Sequence, residues 1–206
     1  MAVVTISRQY GAGGRRVGPA IAQALGFRFV DREIAEEAAR RMGVDPETVQ
    51  GWDERAPAIV EELGLALAAA APGFGIPHVP DLDDRALAEA TRRVIVSLAD
   101  AGSYVILGRG AQAALSDRDD VIHLSLVGEP EDRARQVMQS QGCDRKEALA
   151  LCERVDGERA GYVRRFYWRD IKDVLLYDCV LNTSRLSLDD AVAVSVDAAR
   201  RKLGLG

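Results

Sequence analysis

Residues 3 to 18, VVTISRQYGAGGRRVG, run from a β-branched segment through a glycine-rich turn into an amphipathic helix, and few folds offer that order a place. Val3, Val4, Thr5 and Ile6 suit a buried strand. Gly11, Gly13 and Gly14 open backbone conformations closed to other residues, and the helix that follows points its amides into the turn. Such a turn is a cradle for an anion. It departs from the widespread phosphate-loop pattern GxxxxGK[ST], whose lysine reaches the β and γ phosphates and whose hydroxyl residue holds magnesium. With Gly11, Ala12 and Gly13 laid on the end of that pattern, Arg8 takes the first glycine position and Gly14 the lysine position, and Arg15 and Arg16 follow where the hydroxyl residue would be found. Phosphate binding is therefore better supported than phosphoryl transfer. The plainer alternative is an ordinary strand-to-helix turn that needs glycine.

At 206 residues, 48% hydrophobic and 29% charged, the chain has the size and composition of one soluble domain whose core needs no disulfides or metals. No apolar run approaches the roughly 20 residues of a membrane helix. The opening MAVVTISR has neither a basic leader nor a signal-type apolar segment, so a cytoplasmic protein without a membrane partner is expected. Cys143, Cys152 and Cys179 are odd in number and widely spaced, which suggests buried thiols rather than a disulfide framework or a zinc knuckle. His78 and His123 lie in separate segments, and His123 sits inside the apolar run VIHLSLV, so a core histidine is expected there and no histidine metal site. A net charge of −5 argues against general nucleic-acid binding, which relies on a basic face. Any basic site must be local.

Five short strands can be read, at 3–7, 27–30, 103–107, 121–126 and 178–182. Between them, helices are expected over Gly14–Leu25, from a cap at Asp31 to about Met42, after Asp45 and Pro46, from Asp83 through Leu98, from Pro130 to Gly142, and from Ser187 with Asp190 to Gly204. Alternating strands and helices predict a doubly wound α/β domain on a five-stranded parallel sheet. Residues 1 to 206 then form a single domain, with residues 31 to 102 as a helical insertion too long for one crossover. Its irregular stretch from Pro72 to Asp84 is either a loop that covers the site or a merely disordered one.

Gly108, Arg109 and Gly110 follow the third strand, which puts one guanidinium at the carboxyl edge of the sheet, where open α/β folds bind ligands. The alternative is a surface arginine in a glycine turn. Segment 144–172 carries eight basic against six acidic residues in a chain of opposite balance, with arginine predominating, as planar recognition of phosphate oxygens favours. It reads either as an arginine arm that closes over a ligand or as a solvated helix laced with ion pairs. Tyr162, Phe166, Tyr167 and Trp168, interleaved with the basic residues, are more simply packing groups than nucleic-acid contacts.

VTISRQYGAGG, FRFVDREI, VILGRGA and LNTSRLSLDDAV, in this order over about 190 residues, resemble the cytidylate-kinase-like family, a branch of the P-loop nucleoside monophosphate kinases. The resemblance implies a P-loop NTPase-like core with a substrate-binding helical insertion and an arginine-rich lid. It also implies ATP-dependent phosphoryl transfer to a nucleoside monophosphate, most plausibly CMP or dCMP, with magnesium as a further cofactor. Where true cytidylate kinases read GAGKGT, this chain reads GAGGRR; where they read GRD, Gly110 replaces the aspartate; their lid pattern ERDDRDR becomes Glu153 to Arg159. On this reading Arg8, Gly11, Ala12, Gly13 and Gly14 cradle the donor phosphates, and Arg15 or Arg16 replaces the lysine charge. Arg109 holds the acceptor phosphate, while Arg154 and Arg159 close over the transferring group. Asp31 either orients acceptor or magnesium or simply caps a helix; any magnesium is held chiefly by nucleotide and water. The alternatives are a nucleotide-binding protein that no longer transfers phosphate, and a small-molecule kinase with another acceptor.

Overall fold

Strands covered on both faces become apolar throughout, and β1 (Val3–Arg8), β3 (Tyr104–Leu107) and β4 (Val121–Val127) are buried along nearly their whole length. With β2 (Arg28–Val30) and β5 (Cys179–Asn182) they make an all-parallel five-stranded sheet in the order β2-β3-β1-β4-β5. The computed structural model describes residues 2–41, 43 and 84–205. Its helices are α1 (Gly14–Leu25), α2 (Glu33–Arg41), α3 (Asp84–Ala101), the short α4 (Ala111–Ala114), α5 (Pro130–Gln141), α6 (Arg145–Tyr167) and α7 (Leu188–Leu203). The expected fold class is the one observed, with strand ends differing by a residue.

Alternation along the strands decides which helix meets which side chain. Val4, Ile6, Val105, Leu107, Ile122 and Leu124 face α1 and α7, where Val17, Ile21, Ala191 and Ala199 complete one half of the core. Val3, Ile106 and Val121 face the other way, onto Ile34 and Ala38 of α2 and Val94 and Ile95 of α3. His123 is a core histidine as expected: its Nδ1 lies 2.7 Å from the Thr5 hydroxyl, and burial pushes its pKa down.

One helix start departs from expectation by a residue or two. Helix α2 starts at Glu33, and the Arg32 carbonyl accepts from the amides of Ala35 and Glu36 at 3.0 and 3.4 Å. Asp31 therefore sits before the cap, its own amide donating to the Glu33 carboxylate at 2.9 Å. Segment 144–172, read either as an arginine arm or as a helix laced with ion pairs, forms the 23-residue helix α6 behind a full capping box: the Glu147 amide donates to the Asp144 carboxylate at 2.9 Å, and the Asp144 amide to that of Glu147 at 3.2 Å. Such a cap is worth about 1 kcal/mol. Caps at Ser187, Gly142 and Gly204 fall where expected. The helices at the two ends of the 31–102 insertion, α2 and α3, pack side by side. Asp45, Pro46, His78, Asp83 and the irregular stretch up to residue 83 lie outside the described residues.

Candidate functional site

The loop between β1 and α1 owes its shape to groups from α5 and α6. Gly11 adopts φ +80°, and a Cβ there would stand 2.5 Å from the Arg133 carbonyl oxygen, so only glycine lets the loop lie against α5. Arg133 donates from Nη1 to the Tyr10 carbonyl at 3.0 Å and from Nε to the Gly128 carbonyl at 3.0 Å. Asp156 of α6 accepts from the Tyr10 amide at 2.7 Å and from Arg133 Nη1 at 2.7 Å. Cys152 donates weakly to the same Tyr10 carbonyl, and burial pushes its thiol pKa up. Arg159, also on α6 and buried, donates to the Arg8 carbonyl at 3.0 Å and lies over the Tyr10 ring, 5.7 Å from its centroid. Gln9 receives the Gly128 amide at 2.9 Å. Gly13 caps α1, and helix geometry leaves the first amides there without intrahelical acceptors. These are the donors an anion would meet.

The neighbouring turn after β3 is built differently. Gly108, Arg109 and Gly110 are all left-handed, with φ of +76°, +58° and +67°. For a residue with a side chain this conformation costs roughly 1–2 kcal/mol and persists where the surroundings enforce it. Tyr167, at the end of α6, lies against this turn: a Cβ on Gly110 would stand 2.5 Å from its ring. That close approach explains why glycine, not aspartate, follows Arg109. The Tyr167 hydroxyl is enclosed beside Tyr162, and burial pushes its pKa far up, so it stays protonated. Arg109 is buried, at 7% exposure.

Between the carboxyl ends of β1 and β4 and residues 171–180 lies a cavity of about 230 Å³, with Ser7, Arg8, Ser125, Asp156, Arg159 and Tyr177 in its lining. The Tyr177 hydroxyl donates to the Ile171 carbonyl at 2.8 Å, and burial pushes its pKa up.

Of the residues expected at the site, the fold brings Arg8, Gly11, Ala12, Gly13, Gly14, Arg109 and Arg159 to the carboxyl edge around β1 and β3. Arg15 and Arg16 are exposed, and the nearest acid to Arg16 is Asp189 at 3.9 Å, itself exposed. Arg154 points along the solvent side of α6, paired with Glu158 at 2.9 Å. Asp31 follows β2, two strands from the β1 that carries the glycine turn.

Sequence reasoning missed Tyr10, Arg133 and Asp156, while Tyr167, read as a packing group, packs against Gly110. A signal existed for two of them. Arg133 lies on the stripe it shares with Ala134 and Val137, and Asp156 follows Cys152 by one helical turn, so a charge of each sign occupies an apolar face. Among the described residues, no group of three or more histidine, cysteine, aspartate or glutamate side chains is placed to hold a metal.

A parallel sheet ordered β2-β3-β1-β4-β5, with a glycine loop leading from its central strand into a helix, is a P-loop NTPase-like fold. A gluconokinase from Sinorhizobium meliloti shares this architecture, with a TM-score of 0.54 at 14% identity over 98% of this chain and 94% of that one. A crystal structure of an uncharacterized protein from Eubacterium ventriosum superposes with a TM-score of 0.71 at 20% identity, covering 97% and 98% of the two chains. The chain belongs to the cytidylate kinase-like family, whose profile matches residues 3–185. It is 30% identical to a cytidylate kinase of Pyrobaculum arsenaticum over 96% of its own length and 92% of that protein. Among the described residues, no helix is long and apolar enough to cross a membrane.

Proposed function

We propose that this protein is an ATP-dependent kinase whose acceptor is a nucleoside monophosphate, CMP or dCMP before others. The amides of the Gly11–Gly14 turn receive the donor phosphates, and Arg109 holds the acceptor phosphate from the adjoining strand end. Arg159 keeps the donor loop in register through the Arg8 carbonyl. Arg154, on the same helix, adds charge from its outer side. The one observation that carries the reading is the buried Arg109, held in a left-handed turn one strand from the glycine loop. Strain kept at a ligand-binding edge, on a cation, is what a phosphate-holding group looks like before its ligand arrives. The family match and the Pyrobaculum relative support nucleotide chemistry. Magnesium enters with the nucleotide phosphates, water completing its shell.

A panel of nucleoside monophosphates with ATP and magnesium tests this, with ADP and the phosphorylated product both measured. CMP or dCMP turnover is expected, and Arg109→Ala is expected to raise the acceptor KM at least tenfold. Turnover of other acceptors alone, or an Arg109→Ala variant like the wild type, overturns it.

A second reading has an observation in its favour. Arg16 lies toward Asp189 rather than over the loop, which suits a nucleotide-binding protein that does not transfer phosphate. Binding of ATP without turnover selects it.

A further inference from the structure

The pattern GxxxxGK puts glycine at its first position and a cation at its last, and this chain has an arginine at the first, Arg8, and a glycine at the last, Gly14. In the fold those two positions touch. A Cβ on Gly14 would lie 3.0 Å from Arg8 Cγ and 3.4 Å from Arg8 Cβ, so the stem of Arg8 runs over the spot from which a side chain at position 14 would start. Alternation along β1 puts Arg8 in the row of Val4 and Ile6, the row that faces α1, and the same point over Gly14 is closed on another side by Leu107. The backbone behind this side chain is anchored, since Arg159 holds the Arg8 carbonyl at 3.0 Å. Arg8 also lines the cavity at the carboxyl edge.

We propose that positions 8 and 14 have exchanged their residues, and that Arg8 supplies the charge on the donor phosphates that lysine supplies in the common pattern. This rests on the kinase reading of the loop. A side chain starting from position 14 would press on the stem of Arg8, 3.0 Å away, and on Leu107, 3.4 Å away, so the two stems crowd one another and glycine at 14 suits arginine at 8. Arg15 and Arg16, adjacent to Gly14 in sequence, are turned outward and exposed. Arg8 is then a catalytic residue touching the transferring phosphates, as cations in phosphoryl transfer do.

The test uses four variants of the full chain. Arg8→Met keeps the stem over Gly14 and removes the charge; Arg8→Gly removes both; Gly14→Lys crowds Arg8; and Arg8→Gly with Gly14→Lys rebuilds GxxxxGK. Two readouts are taken, CMP turnover with ATP and magnesium, and calorimetric binding of inorganic tripolyphosphate, with thermal midpoints as the check on folding. Arg8→Met and Arg8→Gly are expected to lower kcat about a hundredfold, the order found when one charge-stabilising donor is removed, with acceptor KM nearly unchanged. Each is expected to weaken tripolyphosphate about tenfold. Gly14→Lys is expected to be impaired, and the double variant to return to within about tenfold of wild type in both readouts.

An Arg8→Met variant that binds tripolyphosphate like the wild type overturns the proposal. So does a folded double variant as weak as Arg8→Gly. If the wild type transfers nothing, yet tripolyphosphate binding falls in Arg8→Met and returns in the double variant, the kinase reading fails and the exchange stands. If the wild type neither transfers nor binds tripolyphosphate, both fall.

Discussion

Two strand-to-helix turns stand side by side at the carboxyl edge of the sheet, one after β1 and one after β3, and they are held by opposite means. The first is gripped through polar bonds: Arg133, Asp156 and Arg159 take hold of the backbone at Arg8 and Tyr10. The second is pressed into place by an aromatic ring, with Tyr167 filling the space where a side chain at Gly110 would go. Both grips come largely from α6, whose Asp156 and Arg159 face the first turn and whose last residue faces the second. A bonded loop resists movement in any direction yet leaves its free amides toward a ligand. A ring seated on a glycine excludes a side chain there, while the backbone of that turn is bonded locally, from the Gly108 amide to the Ile6 carbonyl and from the Ala113 amide to the Gly110 carbonyl, both at 2.9 Å. On the proposed function, the first turn would serve a donor that needs many amide contacts and the second an acceptor phosphate that needs one well-placed cation.

The comparison can be broken most sharply at Gly11. An alanine there adds a left-handed penalty to a collision with the Arg133 carbonyl, and urea unfolding is expected to show a loss of roughly 3 kcal/mol. An unchanged midpoint would mean that α5 does not define the loop. Asp156→Ala comes next, because it deprives both the Tyr10 amide and the Arg133 guanidinium of an acceptor. With the Asp156 side chain 24% exposed, water offsets part of the cost. A loss of about 2 kcal/mol is expected, with ATP affinity falling and CMP affinity held.

Tyr167→Leu tests the other turn. Removing the flat ring while keeping apolar volume is expected to cost about 1 kcal/mol. It should weaken CMP binding several-fold, with ATP little changed, whereas Tyr167→Phe should behave as the wild type in titration calorimetry. Equal weakening of both ligands would show that the two turns are one mechanical unit. The smallest effects belong to the exposed pairs: Arg154→Ala and Arg16→Ala are each expected to shift stability by less than about 0.5 kcal/mol in chemical denaturation. A large loss of kcat in Arg16→Ala would bring that residue back over the loop and count against Arg8.

Much of the architecture was legible in the chain. The β-branched run before the glycines, the apolar strands and the Ser187 cap each report a local preference or a two-face burial, and the strands appear within a residue of where they were read. The position of Arg109 was legible as well: it follows β3 at the carboxyl edge of the sheet, and it is buried rather than the surface arginine of the alternative reading. Asp31 was misread as a cap, since an aspartate before a helix carries that signal whether or not the helix starts one residue later. The role of α6 was not legible. A run rich in arginine and aspartate looks alike whether it is a loose arm or a helix whose Asp156 and Arg159 reach another segment, because the partner, Tyr10, lies 146 residues away.

By itself the sequence determined the layering, the parallel sheet and the presence of a glycine cradle, all of which follow from periodicity and backbone permission within a dozen residues. Only the tertiary structure decided which cations meet the cradle and why positions 14 and 110 are glycine. The reason is steric and nonlocal: the atoms that exclude side chains at those positions belong to Arg8 and Tyr167, brought there by the meeting of β1, α1 and α6.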